Sequence, residues 1–378
     1  MRRISRPCAK ILAKRPPKSE SDSASNQIVN TIVATTESNE ASDAAIQLAL
    51  QHLRNGDAIG LPTETVYGLA ADASNEAAVA KIFEAKERPK FDPLIVHLPN
   101  TGAFKEVADV PEELEEIVSV LTTQFWPGPL TLLLPKRPVI SDLVTSGLDT
   151  VGVRMSEHPV FRQIARQFGR PLAAPSANRF GRISPTSAAA VVEELSGRIP
   201  LVVDGGACGR GLESTIVRVF SPTGKSPKPG LEIVRAGPVT IDELKKYCKI
   251  LKKKPGAASA VGENKVEAPG QLGSHYAPGT PLRVLVDPDE FKPEERKRYG
   301  LLSFRGEPKD GYIDLMEWDE VAVLSPGAGK MPEAAIRFFF LLRSLDRAGL
   351  DEIIAEPIPE RGLGIAMMDR LCRASVGS

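Results

Sequence analysis

The run Leu61-Pro-Thr-Glu-Thr-Val-Tyr-Gly68 is followed by Lys86-Glu-Arg88 and then by Pro93-Leu-Ile-Val-His97. These segments set hydroxyls, two fixed cations and one imidazole around a strand–loop–helix–strand pattern. A polyphosphate needs opposed cations, and an arginine can hold phosphate oxygens through two parallel hydrogen bonds. Two later segments extend the set. One is Ala174-Pro-Ser-Ala-Asn178, trailed by Arg179, Arg182 and Ser184; the other is Gly211-Leu-Glu-Ser-Thr215. This accumulation of donors and cations points to the handling of a nucleotide together with a small polar substrate.

Each segment alone also has a plainer reading. Lys86 and Arg88 are either ordinary surface cations or phosphate ligands on a loop stiffened by Pro89. His97 is either a satisfied strand histidine or a group that orients a substrate amine or hydroxyl. It has no H-x-x-x-H or cysteine partner that would indicate a metal. Thr63, Glu64 and Thr65 form either a capped turn or a ligand loop at a sheet edge. Arg154 lies in the apolar strand Val151-Gly-Val-Arg-Met155, so it needs an anion. An internal salt bridge and a substrate carboxylate serve equally well. Ser176 and Asn178 either shape a turn or bind an anion. There is no phosphate-binding G-x-x-x-x-G-K-[ST] loop, since Gly327-Ala-Gly-Lys330 lacks the earlier glycine and continues with Met331. Neither a dinucleotide fingerprint, a nucleophile elbow nor a paired-carboxylate pattern is present.

The elements that must position these groups alternate between strand and helix, which argues an α/β sheet layered with helices. Strands are expected at Ala58–Leu61, Pro93–Leu98, Leu130–Leu134, Val151–Met155, Leu172–Ala174 and Leu201–Asp204. A late hairpin is expected from Thr215–Phe220 and Leu231–Arg235. Helices are expected from Ser42, as N-cap, to Arg54, then over Ala77–Ala85, Glu112–Phe125 and Val160–Phe168. A break follows over 249–281, first linker-like and then Gly- and Pro-rich yet carrying His275 and Tyr276, which a pure spacer does not need. Beyond Leu282 the pattern restarts, with strands at Leu282–Val286, Gly300–Ser303, Val321–Leu324 and Glu352–Ala355. Helices are expected over Glu333–Ala348 and Leu363–Arg373.

The bulk numbers agree with this division. At 378 residues the chain exceeds one ordinary core, and its 42% hydrophobic content suffices for two. Basic and acidic residues balance, so an anionic partner must be attracted by a local patch. Cys8, Cys208, Cys248 and Cys372 form no C-x-x-C pair, which excludes a zinc or disulfide framework and fits a reducing, cytoplasmic compartment. No apolar run approaches the roughly 20 residues that a membrane span needs. Residues 1–40 form a basic, then Ser-rich tail, either disordered or similar to a mitochondrial or plastid transit peptide.

From about residue 43 to 375 the chain resembles the threonylcarbamoyl-AMP synthase family in its long, two-domain form. The resemblance rests on the P-T-E-T-x-Y-G segment, on Lys86-Glu-Arg88 and Ser176-Ala-Asn178, and on the G-x-x-S-T segment. It also rests on Pro357-Ile-Pro-Glu-Arg-Gly-Leu-Gly-Ile-Ala with Asp369-Arg-Leu. It implies a YrdC-like twisted sheet with flanking helices over 41–248, a linker or lid over 249–281 and a small Rossmann-like domain over 282–378. It further implies that L-threonine, bicarbonate and ATP, with Mg²⁺, give threonylcarbamoyl-AMP and pyrophosphate. A downstream tRNA threonylcarbamoyltransferase complex then uses the product. By the matching positions, Thr65, His97, Arg154, Ala174 and Ser214 hold threonine. ATP is held by Lys86, Arg88, Asp92, Thr150, Ser176, Asn178, Ser184, Arg235 and Tyr276, with Lys86 and Arg88 catalytic. Asp92 stands where the family often has Asn, which puts a negative charge near phosphate. Two rivals remain: a carbamoyltransferase using carbamoyl-adenylate, and a double-stranded RNA-binding module. The second would use Lys245, Lys246, Lys249 and Lys252–Lys254 as a basic patch.

Overall fold

The computed structural model describes residues 29–221, 229–251, 266, 268–270 and 273–376. The transit-peptide reading, most of the linker, Cys8 and Lys252–Lys254 lie outside the described residues.

Eleven strands form one mixed sheet. In chain order they are β1 (Ile32–Thr35), β2 (Ile59–Leu61), β3 (Gly68–Asp72), β4 (Ile95–His97), β5 (Leu130–Pro135) and β6 (Thr150–Arg154). They continue with β7 (Leu172–Ala173), β8 (Leu201–Asp204), β9 (Thr215–Phe220), β10 (Gly230–Arg235) and β11 (Lys249–Ile250). Across the sheet the order is β1-β8-β2-β3-β7-β4-β6-β5-β9-β10-β11. The expected late hairpin is β9–β10, antiparallel. Three expected boundaries are corrected. Ser38, not Ser42, caps the first helix, Asn39–Arg54, accepting from the Ala41 amide at 3.2 Å. Glu112–Leu114 is a 3₁₀ turn that precedes the α-helix Glu115–Phe125. The tail reading fails for 29–40, because β1 adds to the sheet edge in parallel with β8. β1 is a short and mostly exposed strand whose partner lies some 170 residues on, so no local pattern announces it.

Strand alternation explains where a site can sit. Val96, Val151, Val153, Leu132 and Val217 point to one face and enter the main core with Val79, Ile82 and Leu121 from two helices. Their neighbours in sequence, Ile95, His97, Gly152, Arg154, Thr131, Leu133 and Ile216, therefore point to the other face. A Cβ on Gly152 would meet Thr131 Cγ2 at 3.3 Å, Leu133 Cδ2 at 3.5 Å and Ile95 Cγ1 at 3.7 Å, which confirms the shared face. It forms the floor of a cavity.

Four parallel strands, β12 (Leu282–Val284), β13 (Tyr299–Ser303), β14 (Glu320–Val323) and β15 (Glu352–Ala355), form a second sheet in the order β12-β15-β13-β14. With the helices Met331–Asp346 and Leu363–Val376 it makes the small Rossmann-like unit. Its core is not self-contained. Val66, Ile183, Leu212 and Tyr276 join Phe338, Phe339, Leu342 and Met367 in one cluster. Three of those four come from the chemistry-bearing segments of the first sheet, so the second unit packs against the backs of those loops.

Candidate functional site

The cavity is lined by Thr65, Arg88, His97, Arg154, Ala174, Ser176, Ser214, Arg235 and Tyr276 among the residues singled out in the sequence. Thr63, Glu213, Pro269, Gly270 and His275 also line it. The elements carrying it meet through close backbone contacts. A Cβ on Gly68 would lie 3.3 Å from Ala174 Cβ and 3.6 Å from Pro175 O, so the first Thr-rich loop and the Ala174–Asn178 loop touch directly.

At one end, Thr63 takes the plain role. Its hydroxyl donates to Val66 O at 2.6 Å and accepts from the Thr65 amide at 3.1 Å, which shapes the turn. Thr65 is thereby turned toward Arg154, whose Nη1 donates to Thr65 Oγ1 at 3.2 Å. Arg154 Nη2 donates to Glu64 Oε1, and the other Glu64 oxygen accepts from Ser156 Oγ and from the Glu157 amide at 3.2 Å. The anion that Arg154 needs is thus internal in this state. Its Nε has no hydrogen-bond partner among the described residues. His97 pairs in register with Arg154, packs 4.7 Å from the Phe161 ring and leaves Nδ1 without a partner. Burial, reinforced by the Arg154 charge, pushes its pKa well below the usual histidine value. The imidazole is neutral at pH 7 and orients a group better than it accepts a proton. The Ala174 amide is already given to Ile95 O at 2.9 Å.

At the other end, Arg235 donates to Ser214 O from both Nε (3.2 Å) and Nη2 (3.0 Å), to Ser214 Oγ at 3.1 Å and to Pro269 O at 3.0 Å. Ser214 Oγ also sits 2.8 Å from Thr131 Oγ1. Arg88 faces the cavity but is paired with Asp92 at 2.9 Å, and it donates to Pro93 O at 2.8 Å. Burial raises the pKa of Asp92 despite the neighbouring Arg88 and Lys86 cations. Both Asp92 oxygens lack a hydrogen bond of good geometry. Tyr276 closes the roof at a φ of 64°, uncommon for a bulky residue, 4.3 Å from the His275 ring and 5.7 Å from Phe339. Its phenol is pushed up to about 12, chiefly by burial, and stays protonated.

Five expected ligands do not line the cavity. Lys86 is fully buried, and its ammonium holds the carbonyls of Ser176 (2.6 Å) and Asn178 (2.5 Å). Asn178 Nδ2 is bound to Arg179 O and Arg182 O. Ser184 donates to Glu213 Oε1. Asp92 sits behind Arg88. Thr150 shares the face of Arg154 but stands four residues away along β6, about 13 Å for an extended strand. Through these contacts Lys86 and Asn178 shape the Ser176 loop. The sequence reading places Glu64 in a capped turn or a ligand loop without a partner, and it misses Ser156 and Glu213 as site residues. Arg154's need for an anion could have pointed to Glu64, and nothing local announces the other two.

A family profile described as "Telomere recombination", of the Sua5/YciO/YrdC type, matches residues 51–237, and one described as "Threonylcarbamoyl-AMP synthase, C-terminal domain" matches residues 239–376. The chain is 38% identical to the threonylcarbamoyl-AMP synthase of Pyrococcus abyssi, with 87% of this chain and 94% of that one covered. For the Bacillus subtilis enzyme of the same name the values are 36%, 91% and 97%. The crystal structure of P. abyssi Sua5 complexed with L-threonine superposes with a TM-score of 0.75 at 36% identity, covering 92% of this chain and 97% of that chain. Likeness on this scale, over both sheets and the segments around the cavity, places the chain in the threonylcarbamoyl-AMP synthase family, in its two-domain form.

Proposed function

We propose that the cavity binds L-threonine beside ATP and joins them, through bicarbonate-derived carbon, into L-threonylcarbamoyl-AMP with release of pyrophosphate. The observation that carries the reading is the composition of the cavity. Hydroxyls, a neutral imidazole and a guanidinium meet at one end, and two further arginines stand at the other. Thr65, His97, Arg154, Ala174 and Ser214 surround the amino acid, and Arg154 takes its carboxylate through the unpartnered Nε edge. Arg88 and Arg235 face the phosphates. Arg235 makes no ion pair among the described residues, so its charge is the least compensated. Ser176 adds a hydroxyl, while Lys86 and Asn178 hold the loop that carries it.

The neutral threonine amine adds to carbon dioxide with loss of a proton to solvent, or to bicarbonate with loss of water, and an oxygen of the resulting carbamate attacks the α-phosphorus. The bond to pyrophosphate breaks, and the negative charge stays on phosphate oxygens. Arg88 and Arg235 stabilise it, so the protein contributes placement and electrostatics. A carbamate is labile in water, which gives the Tyr276 roof its purpose. Among the described residues no group of three or more His, Cys, Asp or Glu could hold a metal ion. Asp92 and Glu213 are engaged by Arg88 and by Arg370 with Ser184. Mg²⁺ is the expected companion of ATP, where it would help neutralise the charge on the phosphates. The product passes to a tRNA-modifying complex. Cys208 and Cys248 are buried free thiols, in keeping with a reducing, cytoplasmic setting. No helix among the described residues is long and apolar enough to cross a membrane.

Mass spectrometry of the product mixture tests the reading. Threonine, bicarbonate and ATP should give the threonylcarbamoyl adenylate, and serine far less of its analogue. Pyrophosphate release that ignores threonine would overturn it.

A further inference from the structure

The C-terminal helix Leu363–Val376 sends one charged side chain across to the first sheet. Arg370 is fully buried and does not line the cavity. Its Nε donates to Glu213 Oε2 at 2.9 Å, and its Nη1 donates to Ala236 O at 2.9 Å and Ala366 O at 3.0 Å. Its guanidinium carbon stands 5.5 Å from the centre of the Tyr276 ring. The second Glu213 oxygen accepts from Ser184 Oγ.

Those contacts fall at two junctions. Glu213 immediately precedes Ser214, and Ala236 immediately follows Arg235. The two loops touch backbone to backbone: a Cβ on Gly237 would lie 2.5 Å from both Glu213 O and the Thr215 amide nitrogen. Glu213 lines the cavity, where a bare carboxylate would repel a phosphate chain and offset the charge of Arg235. Arg370 supplies the opposite charge from outside.

We propose that Arg370 is a positioning residue of the nucleotide end, fixing the Arg235–Ala236 junction and cancelling the Glu213 charge that would otherwise oppose a triphosphate. The proposal rests on the reading of this cavity as an ATP site. It gives the C-terminal unit a share in substrate binding. Burying a carboxylate without its partner is costly, whereas removing both members of a pair leaves no uncompensated charge. The role is therefore separable from simple docking of the two units.

The test is steady-state pyrophosphate release by the full chain, with ATP and threonine varied in turn. Arg370→Met should raise KM for ATP at least fivefold and leave KM for threonine within threefold. Arg370→Met combined with Glu213→Gln should bring KM for ATP back to within threefold of the native value. A rise below fivefold in the single variant, or a double variant no better than the single, overturns the proposal, because a merely structural role gives no rescue. If the single variant does not fold, the double decides alone: KM for ATP within threefold supports the role, and a larger rise overturns it. A native chain without threonine-dependent release removes the underlying reading, and the proposal with it, which separates the two failures.

Discussion

The two ends of the cavity are built by different means. Thr65, His97 and Arg154 stand on or beside strands of one sheet, and Glu64, Ser156 and Thr63 from that same sheet region fix their partners. Arg235 and Tyr276 stand at the other end, at a strand end and in a loop. Their supports include Arg370 and Phe339, from two helices of the second unit. At the proposed amino-acid end the second unit packs behind the loop at Val66, whereas the nucleotide end takes a charged side chain and an aromatic ring from it. On the proposed reading the second unit acts on substrate binding as well as on stability.

The sharpest way to break this comparison is to remove the second unit. Ending the chain after Lys254 should abolish product formation while the first sheet still folds, as read by circular dichroism and a product assay. A truncated chain that keeps activity would show the nucleotide end to be self-sufficient. Next in size, Arg88→Ala should lower threonine-dependent turnover about 10³-fold, the scale of losing a main electrostatic contact to a developing anion. Turnover near native would remove Arg88 from the chemistry. Arg154→Met should raise KM for threonine about 100-fold with KM for ATP little changed. It should also cost about 3–5 kcal/mol of stability, because Glu64 is left buried and unpaired. Equal losses for both substrates would erase the distinction between the ends.

The smallest effect is on the pH dependence of stability. His97, His158 and His275 all have pKa values held below the usual histidine value, chiefly by burial. The unfolded chain binds protons at these sites near pH 6.5 while the folded chain does not. Stability is thus fully present above about pH 6.5 and falls as the pH drops below it. Tm should decline between pH 7 and pH 5, and His97→Gln should flatten part of that decline.

Much of this was legible in the sequence because period-2 alternation puts Ile95 and His97, and likewise Gly152 and Arg154, on one face once the strands are placed. The hydroxyl and cation segments could be collected without knowing how they meet. What the sequence withheld depends on long-range pairing. That Lys86 holds two carbonyls depends on where the Ser176 loop lands, 90 residues on. Arg370 and Glu213 are 157 residues apart and look like ordinary surface charges in isolation. β1 has too few residues to show a period at all.

The central claim is that one cavity holds threonine and the ATP phosphates side by side. A crystal structure of the full chain with L-threonine and a non-hydrolysable ATP analogue tests it most directly. The account predicts the threonine carboxylate on Arg154 and the phosphates between Arg88 and Arg235, beneath Tyr276. A nucleotide bound away from Arg88 and Arg235, or threonine on the far face of the sheet, would contradict it.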